Sequence, residues 1–193
     1  LGLHVFNLPH RDINQTSITS LAYRIRSSIP IVAYQFNPLE NEEVFSNDAS
    51  LLLPSHVLGT QYYVMTREQS FAQLRGFLTV IAINEEPTTV SVRVTAQTQP
   101  GVGGIPALSP GDSFEAVLTQ FQVLNIKTGA PGADLTGSFI ESSQPVVVFG
   151  GSEAANVPNT NHCVDIDPID NMGVCEADRD EPCRDNYDCN RAR

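Results

Sequence analysis

Segment after segment of this chain places apolar residues at every second position. Val90, Val92 and Val94 alternate with Ser91, Arg93 and Thr95. Successive side chains of an extended strand point to opposite faces, so this spacing predicts a strand whose three valines share one core. The same reading gives strands over 21–26, 30–36, 61–66, 77–83, 88–96, 113–118, 121–126, 137–141 and 146–149. Turn chemistry separates them: glycine and proline cluster at 100–104, 109–112 and 129–132, and 84–87 turns the chain between two strands. Only 67–75, through Phe71 and Leu74, has helical spacing, enough for one or two turns. The expected fold is all-β, with antiparallel strands joined in hairpins and two packed sheets, sandwich-like. A β-propeller-like array is the alternative, because it too is built from successive hairpins.

The chain also repeats itself. Setting Ser27 and Ser28 on Ser142 and Ser143 aligns Ile25 with Ile140, Pro30 with Pro145 and Tyr34 with Phe149. The shared pattern is Ile-x-Ser-Ser-x-Pro, an apolar triplet and an aromatic. Its proline stands where a strand begins and one lost N–H is tolerated. The expectation is one hairpin used twice, over 21–34 and 136–149, within an all-β domain of residues 1–162. A period this long suggests a repeated multi-strand module rather than a short solenoid unit.

Residues 163–193 differ sharply. They hold nine acids, four arginines and all four cysteines, Cys163, Cys175, Cys183 and Cys189. So few large apolar groups cannot build a core, so a disulfide-stapled tail or the start of an insertion is expected. An even cysteine count in a short polar stretch reads as two disulfides with three connectivities, Cys163 with Cys175 and Cys183 with Cys189 being favoured. No C-x2-C pair offers a zinc grip. Asp165, Asp167 and Asp170 could give calcium three oxygens, but the glycine and glutamate of a calcium-binding helix–loop–helix are missing. An acidic solvated loop is the plainer reading of those aspartates, with no cofactor.

The whole chain carries 22 acids against 11 bases, a net charge of -11, and its only lysine is Lys127. That balance excludes nucleic acid as a partner and offers nothing to anionic membranes. The longest apolar runs, 29–34 and 145–149, are too short to insert in a bilayer as helices. The chain opens on Leu1, so a removed leader or an excised piece is expected.

Catalytic chemistry finds little footing. Gly111-Asp-Ser113 looks like the block of one esterase class, with Ser113 as nucleophile, but the later Asp-x-x-His is absent. A turn over 109–112 is the simpler reading. The glycines at 100–104 precede neither a lysine nor a helix, so they read as a flexible loop and not a phosphate cradle. His4, His10, His56 and His162 have no metal-ligand spacing. Asn14 heads a sequon that matters only where asparagine is glycosylated. Tyr62 and Tyr63 are neighbours in one strand, so one belongs to the core and the other is free to serve a binding face.

A series of phrases resembles the N-terminal domain family of IgGFc-binding protein, including its bacterial, often myxobacterial, members. They lie in order at 33–39, 46–54, 58–64, 77–82, 88–92, 134–138 and 143–151. The resemblance covers roughly 23–158. It implies an extracellular or cell-surface location and a longer parent chain, since members usually continue past the cysteine-rich stretch. The leading expectation is a secreted, non-enzymatic binding or adhesion module with a protein or glycan partner. The alternatives are a self-assembling structural surface or filament protein, and a hydrolase whose site is dispersed in sequence.

Overall fold

The computed structural model describes residues 2–6, 8–9, 11–37 and 48–154, and beyond them the backbone of three short strands; for Asn37 and Asp48 it likewise describes the backbone alone. The chain divides into two compact units, Leu1–Ala154 and Ala155–Arg193. In the first unit the strands are β1 (Ser17–Thr19), β2 (Ala33–Asn37), β3 (Asp48–Leu52), β4 (Gln61–Tyr63), β5 (Gly76–Ala82), β6 (Thr88–Arg93), β7 (Ser113–Leu118), β8 (Val123–Lys127), β9 (Phe139–Ser142) and β10 (Val146–Ser152). The second unit contributes β11 (Cys163–Val164), β12 (Gly173–Cys175) and β13 (Pro182–Cys183), an antiparallel three-stranded sheet in that order.

Two four-stranded antiparallel sheets make the body of the first unit, in the orders β1-β8-β5-β10 and β4-β9-β6-β7. Each turns one face inward by the two-residue rule. Leu78, Val80 and Ala82 of β5, Leu124 and Ile126 of β8 and Val146 of β10 join one core cluster with Val90 and Val92 of β6, Leu118 of β7 and Ile140 of β9. The expected valine stripe is there: Val90, Val92 and Val94 are all buried. The architecture is therefore the all-β, two-sheet sandwich; among the described residues there is no ring of propeller blades. β2 and β3 form a separate two-stranded ladder with Tyr34 opposite Leu51.

Connectivity departs from the hairpin expectation. Only β6 and β7 are both consecutive and paired within the two large sheets. The turn at 84–87 carries the chain from β5 in one sheet to β6 in the other. The chain crosses again from β7 to β8, β8 to β9 and β9 to β10. The expected repeated hairpin fails for this reason. β9 pairs with β4 and β6, β10 pairs with β5, and residues 21–32 form no strand, leaving only β2 of the first copy extended and paired. Ser142 and Ser143 shape a crossing: the Ser142 hydroxyl donates to Gln144 O at 2.7 Å, and Ser143 Oγ accepts from the Thr89 amide at 3.0 Å.

The helical turn expected over 67–75 is absent as well. Gln69 is buried, and its Nε2 donates to Phe71 O at 2.7 Å and Ala72 O at 3.3 Å. The Gln69 amide donates to Ala133 O at 2.9 Å. A side chain that satisfies nearby carbonyls competes with the helical ladder, and here it wins.

Candidate binding face

β4 is three residues long, yet it separates its two tyrosines as the sequence requires. Tyr62 turns inward and packs against the core. Its hydroxyl donates to Val146 O at 2.9 Å and accepts from the Gly59 amide at 2.7 Å. Tyr63 turns outward and is 76% exposed. Opposite it stands Phe139, with ring centroids 5.0 Å apart and planes at 47°. Arg93 is the next residue across the sheet from Phe139, and Ser113 follows Arg93. A second outward row runs Gln61, Glu141, Ser91 and Glu115; Gln61 Nε2 donates to Glu141 Oε1 at 2.8 Å. Val117 and Met65 lie exposed at the margins. The sheet thus offers an open face with an aromatic pair, one guanidinium and two carboxylates.

The other sheet's outer face is covered over β8 and half-covered over β5, where Phe77, Thr79 and Ile81 are half-buried. Asn125 and Lys127 of β8 are buried there. Asn125 Nδ2 donates to Gln15 O at 3.0 Å, and Lys127 Nζ donates to Asn14 O at 3.3 Å and pairs with Glu153. The face of β4-β9-β6-β7 is the more open of the two, with Tyr63, Arg93, Glu115 and Glu141 exposed on it.

A five-residue turn fixes the edge carrying Tyr63. Asp134 Oδ1 accepts from the Thr66 hydroxyl at 2.6 Å, the Thr136 hydroxyl at 2.7 Å and the Thr136 amide at 2.9 Å. Burial raises the Asp134 pKa, but these hydrogen bonds and the Arg67 charge outweigh it and hold the carboxyl below its ordinary value. Leu135 is fully buried, and Gly137 supplies a φ of 85° that side chains other than glycine rarely adopt. Gly137 N and Val64 N then bond across to Val64 O and Ser138 O, each at 2.9 Å, which closes the ladder below Tyr63. From the far side, Gly150 lets β10 approach: a Cβ there would fall inside contact distance of Met65 O.

Other sequence-derived candidates find structural roles or fall out of view. The turn over 109–112 is confirmed: Asp112 Oδ2 accepts from the Ser109 amide at 2.8 Å, and Gly111 has a φ of 93°. Ser113 simply begins β7. The glycine stretch 100–104 is bonded in place, since Val102 N donates to Thr16 O at 3.0 Å and Gly101 N to Ile105 O at 2.9 Å. Thr16 of the sequon is buried, its hydroxyl accepting from the Lys127 amide. Among the described residues no His, Cys, Asp and Glu group could hold a metal ion. Asp165, Asp167, Asp170, Cys189, His10 and His162 lie outside the described residues; for Cys163, Cys175 and Cys183 only the backbone is described. That backbone sets Cys163 opposite Cys175 and Gly173 opposite Cys183. The adjacent tyrosines were the one sequence signal for the open face. Its partners Phe139 and Arg93 needed the register, which sequence spacing does not carry.

A model of the family described as IgGFc binding protein matches residues 48–172. The chain belongs to this family. The matched stretch starts at the first residue of β3 and takes in every strand of both four-stranded sheets except β1. No curated protein and no solved structure matches the chain. The IgGFc-binding phrases at 58–64, 134–138 and 143–151 are the segments gathered around Tyr63: the first is β4, the second the Asp134 turn, the third the crossing and β10.

Proposed function

We propose that this chain is an extracellular, non-enzymatic module that binds a protein through the outer face of β4-β9-β6-β7. The observation that carries the reading is Tyr63, held exposed against Phe139 on an open sheet. Tyrosine and arginine are the side chains on which protein interfaces concentrate their energy, because both offer large area and directed polar contacts. Family membership supports a protein partner, and the family's name supplies a first probe, the Fc part of immunoglobulin G. Extracellular location is supported by the same membership and by four cysteines within a short acidic stretch.

Binding to immobilised Fc tests the proposal. Tyr63→Ala and Arg93→Ala each weaken binding roughly tenfold or more, a loss typical of interface hot spots. Ser109→Ala, in the turn before β7, leaves it unchanged. Equal affinity for all three variants and the parent chain removes the face from the site. No Fc binding by the parent chain removes Fc as its partner.

A further inference from the structure

We infer that residues 3–36 are the closing strands of a second sandwich like the one at 48–154, and that their exposed apolar side chains dock the remaining strands of that module, carried in tandem. The repeat reaches further than 21–34. Residues 3–8 align with 121–126, so that Val5 matches Val123, Phe6 matches Leu124, Asn7 matches Asn125 and Leu8 matches Ile126. Residues 25–34 align with 140–149. The first 36 residues therefore repeat β8, β9 and β10 in order.

Burial shows what the copy lacks. Leu124, Ile126, Ile140 and Val146 are all 0% exposed, whereas their counterparts Phe6, Leu8, Ile25 and Ile31 are 69%, 48%, 51% and 54% exposed. The sequence has the inward pattern of a sandwich core without the sheets that would cover it. Large exposed apolar side chains in one continuous stretch mark an interaction surface. In the complete sandwich β5 lies between β8 and β10, and β9 is flanked by β4 and β6. The occupant is thus a polypeptide with the pattern of β4–β7, its β5-like strand filling a slot one strand wide between 3–8 and 31–36.

The segment joining the repeated strands fits a tandem arrangement. Between Leu8 and Ile25 the chain is three residues longer than between Ile126 and Ile140. That longer loop carries β1, which pairs with β8 of the 48–154 sandwich. One module's loop is thereby stitched into the next module's sheet.

The test is the full chain with a second copy of residues 48–118 placed directly ahead of Leu1, so that Leu1 and Gly2 stand where Thr119 and Gln120 stand. Amide hydrogen exchange at 3–8 and 31–36 slows by roughly a hundredfold or more relative to the unextended chain, with the amides of β5 as internal control. In the extended chain Ile31→Asp abolishes that protection, because its counterpart Val146 faces the core. Val32→Asp retains it, because Val147 faces outward. Exchange unchanged by the added strands, or equal effects of the two aspartates, overturns the inference. So does a dimer of the unextended chain that persists in the extended one, which would assign the surface to a second copy.

Discussion

Tyr62→Phe isolates the link between β4 and β10. The substitution keeps the ring against the core and removes only the hydroxyl, which donates to Val146 O at 2.9 Å and accepts from Gly59 N at 2.7 Å. Gly59 is exposed, so water replaces the partner of its amide. Val146 is fully buried, so its carbonyl loses a partner that water does not replace. A net hydrogen bond is worth about 1 kcal/mol, and an unsatisfied buried group costs about 1–3 kcal/mol. The expected loss is about 2 kcal/mol. For a domain of this size that lowers Tm by roughly 4–8 °C. Urea unfolding followed by circular dichroism reads the same change as a lower midpoint with an unaltered slope. Tyr63→Ala is the control, because exposed side chains rarely change stability by more than about 0.5 kcal/mol. A Tyr62→Phe midpoint equal to the parent's, or a Tyr63→Ala loss as large, would refute the assignment of the two tyrosines to opposite faces.

Glu153→Gln strips the buried Lys127 ammonium of its part-exposed counter-charge and should cost about 1.5–3 kcal/mol in thermal or urea unfolding. Gly150→Ala drives a methyl group into Met65 O and should lower stability and shift the Tyr63 and Met65 amides in NMR spectra. Asp134 has a folded-state pKa below its ordinary 3.8, so its stabilisation is full above that value and lost as pH falls through the lowered one; Asp134→Asn should show a flatter acid limb in stability measured against pH. Directly opposed residues of an antiparallel pair are close enough for a disulfide, so peptide mapping without reductant should recover Cys163 joined to Cys175. Two free thiols at those positions in oxidised protein would contradict it.

Strand positions were legible because alternation is local. The readings for 77–83, 88–96 and 113–118 fall within a few residues of β5, β6 and β7, and β5 alternates buried and half-buried along its whole length. β1 was not legible, because three residues of mixed polarity carry no period. Pairing was not legible either. A turn such as 84–87 looks the same in sequence whether the next strand lies beside the last or across the core from it. What decides is the apolar face: β5 and β6 each bury one side against the other's sheet, and pairing side by side would leave both stripes needing a third layer. The Gln69 amide shows the opposite limit, a single side chain overriding helical spacing through contacts with 71, 72 and 128 that are set by the tertiary fold.

The crossings also explain which residues of the sandwich need a particular side chain. Inside the strands the buried core side chains are aliphatic and bond to nothing, so an apolar residue of about the right volume suffices there. Where the chain changes sheets, its backbone leaves the ladder and individual side chains replace the lost partners. Asn84 Nδ2 donates to Pro145 O at 2.9 Å, Ser143 Oγ accepts from Thr89 N, and Asp134 gathers three donors at one oxygen. Those substitutes cluster at two ends of β9, the strand that carries Phe139. The face around Tyr63 is therefore positioned by the crossings, and a crossing variant such as Asp134→Asn should disturb it more than a conservative core change such as Val92→Ile.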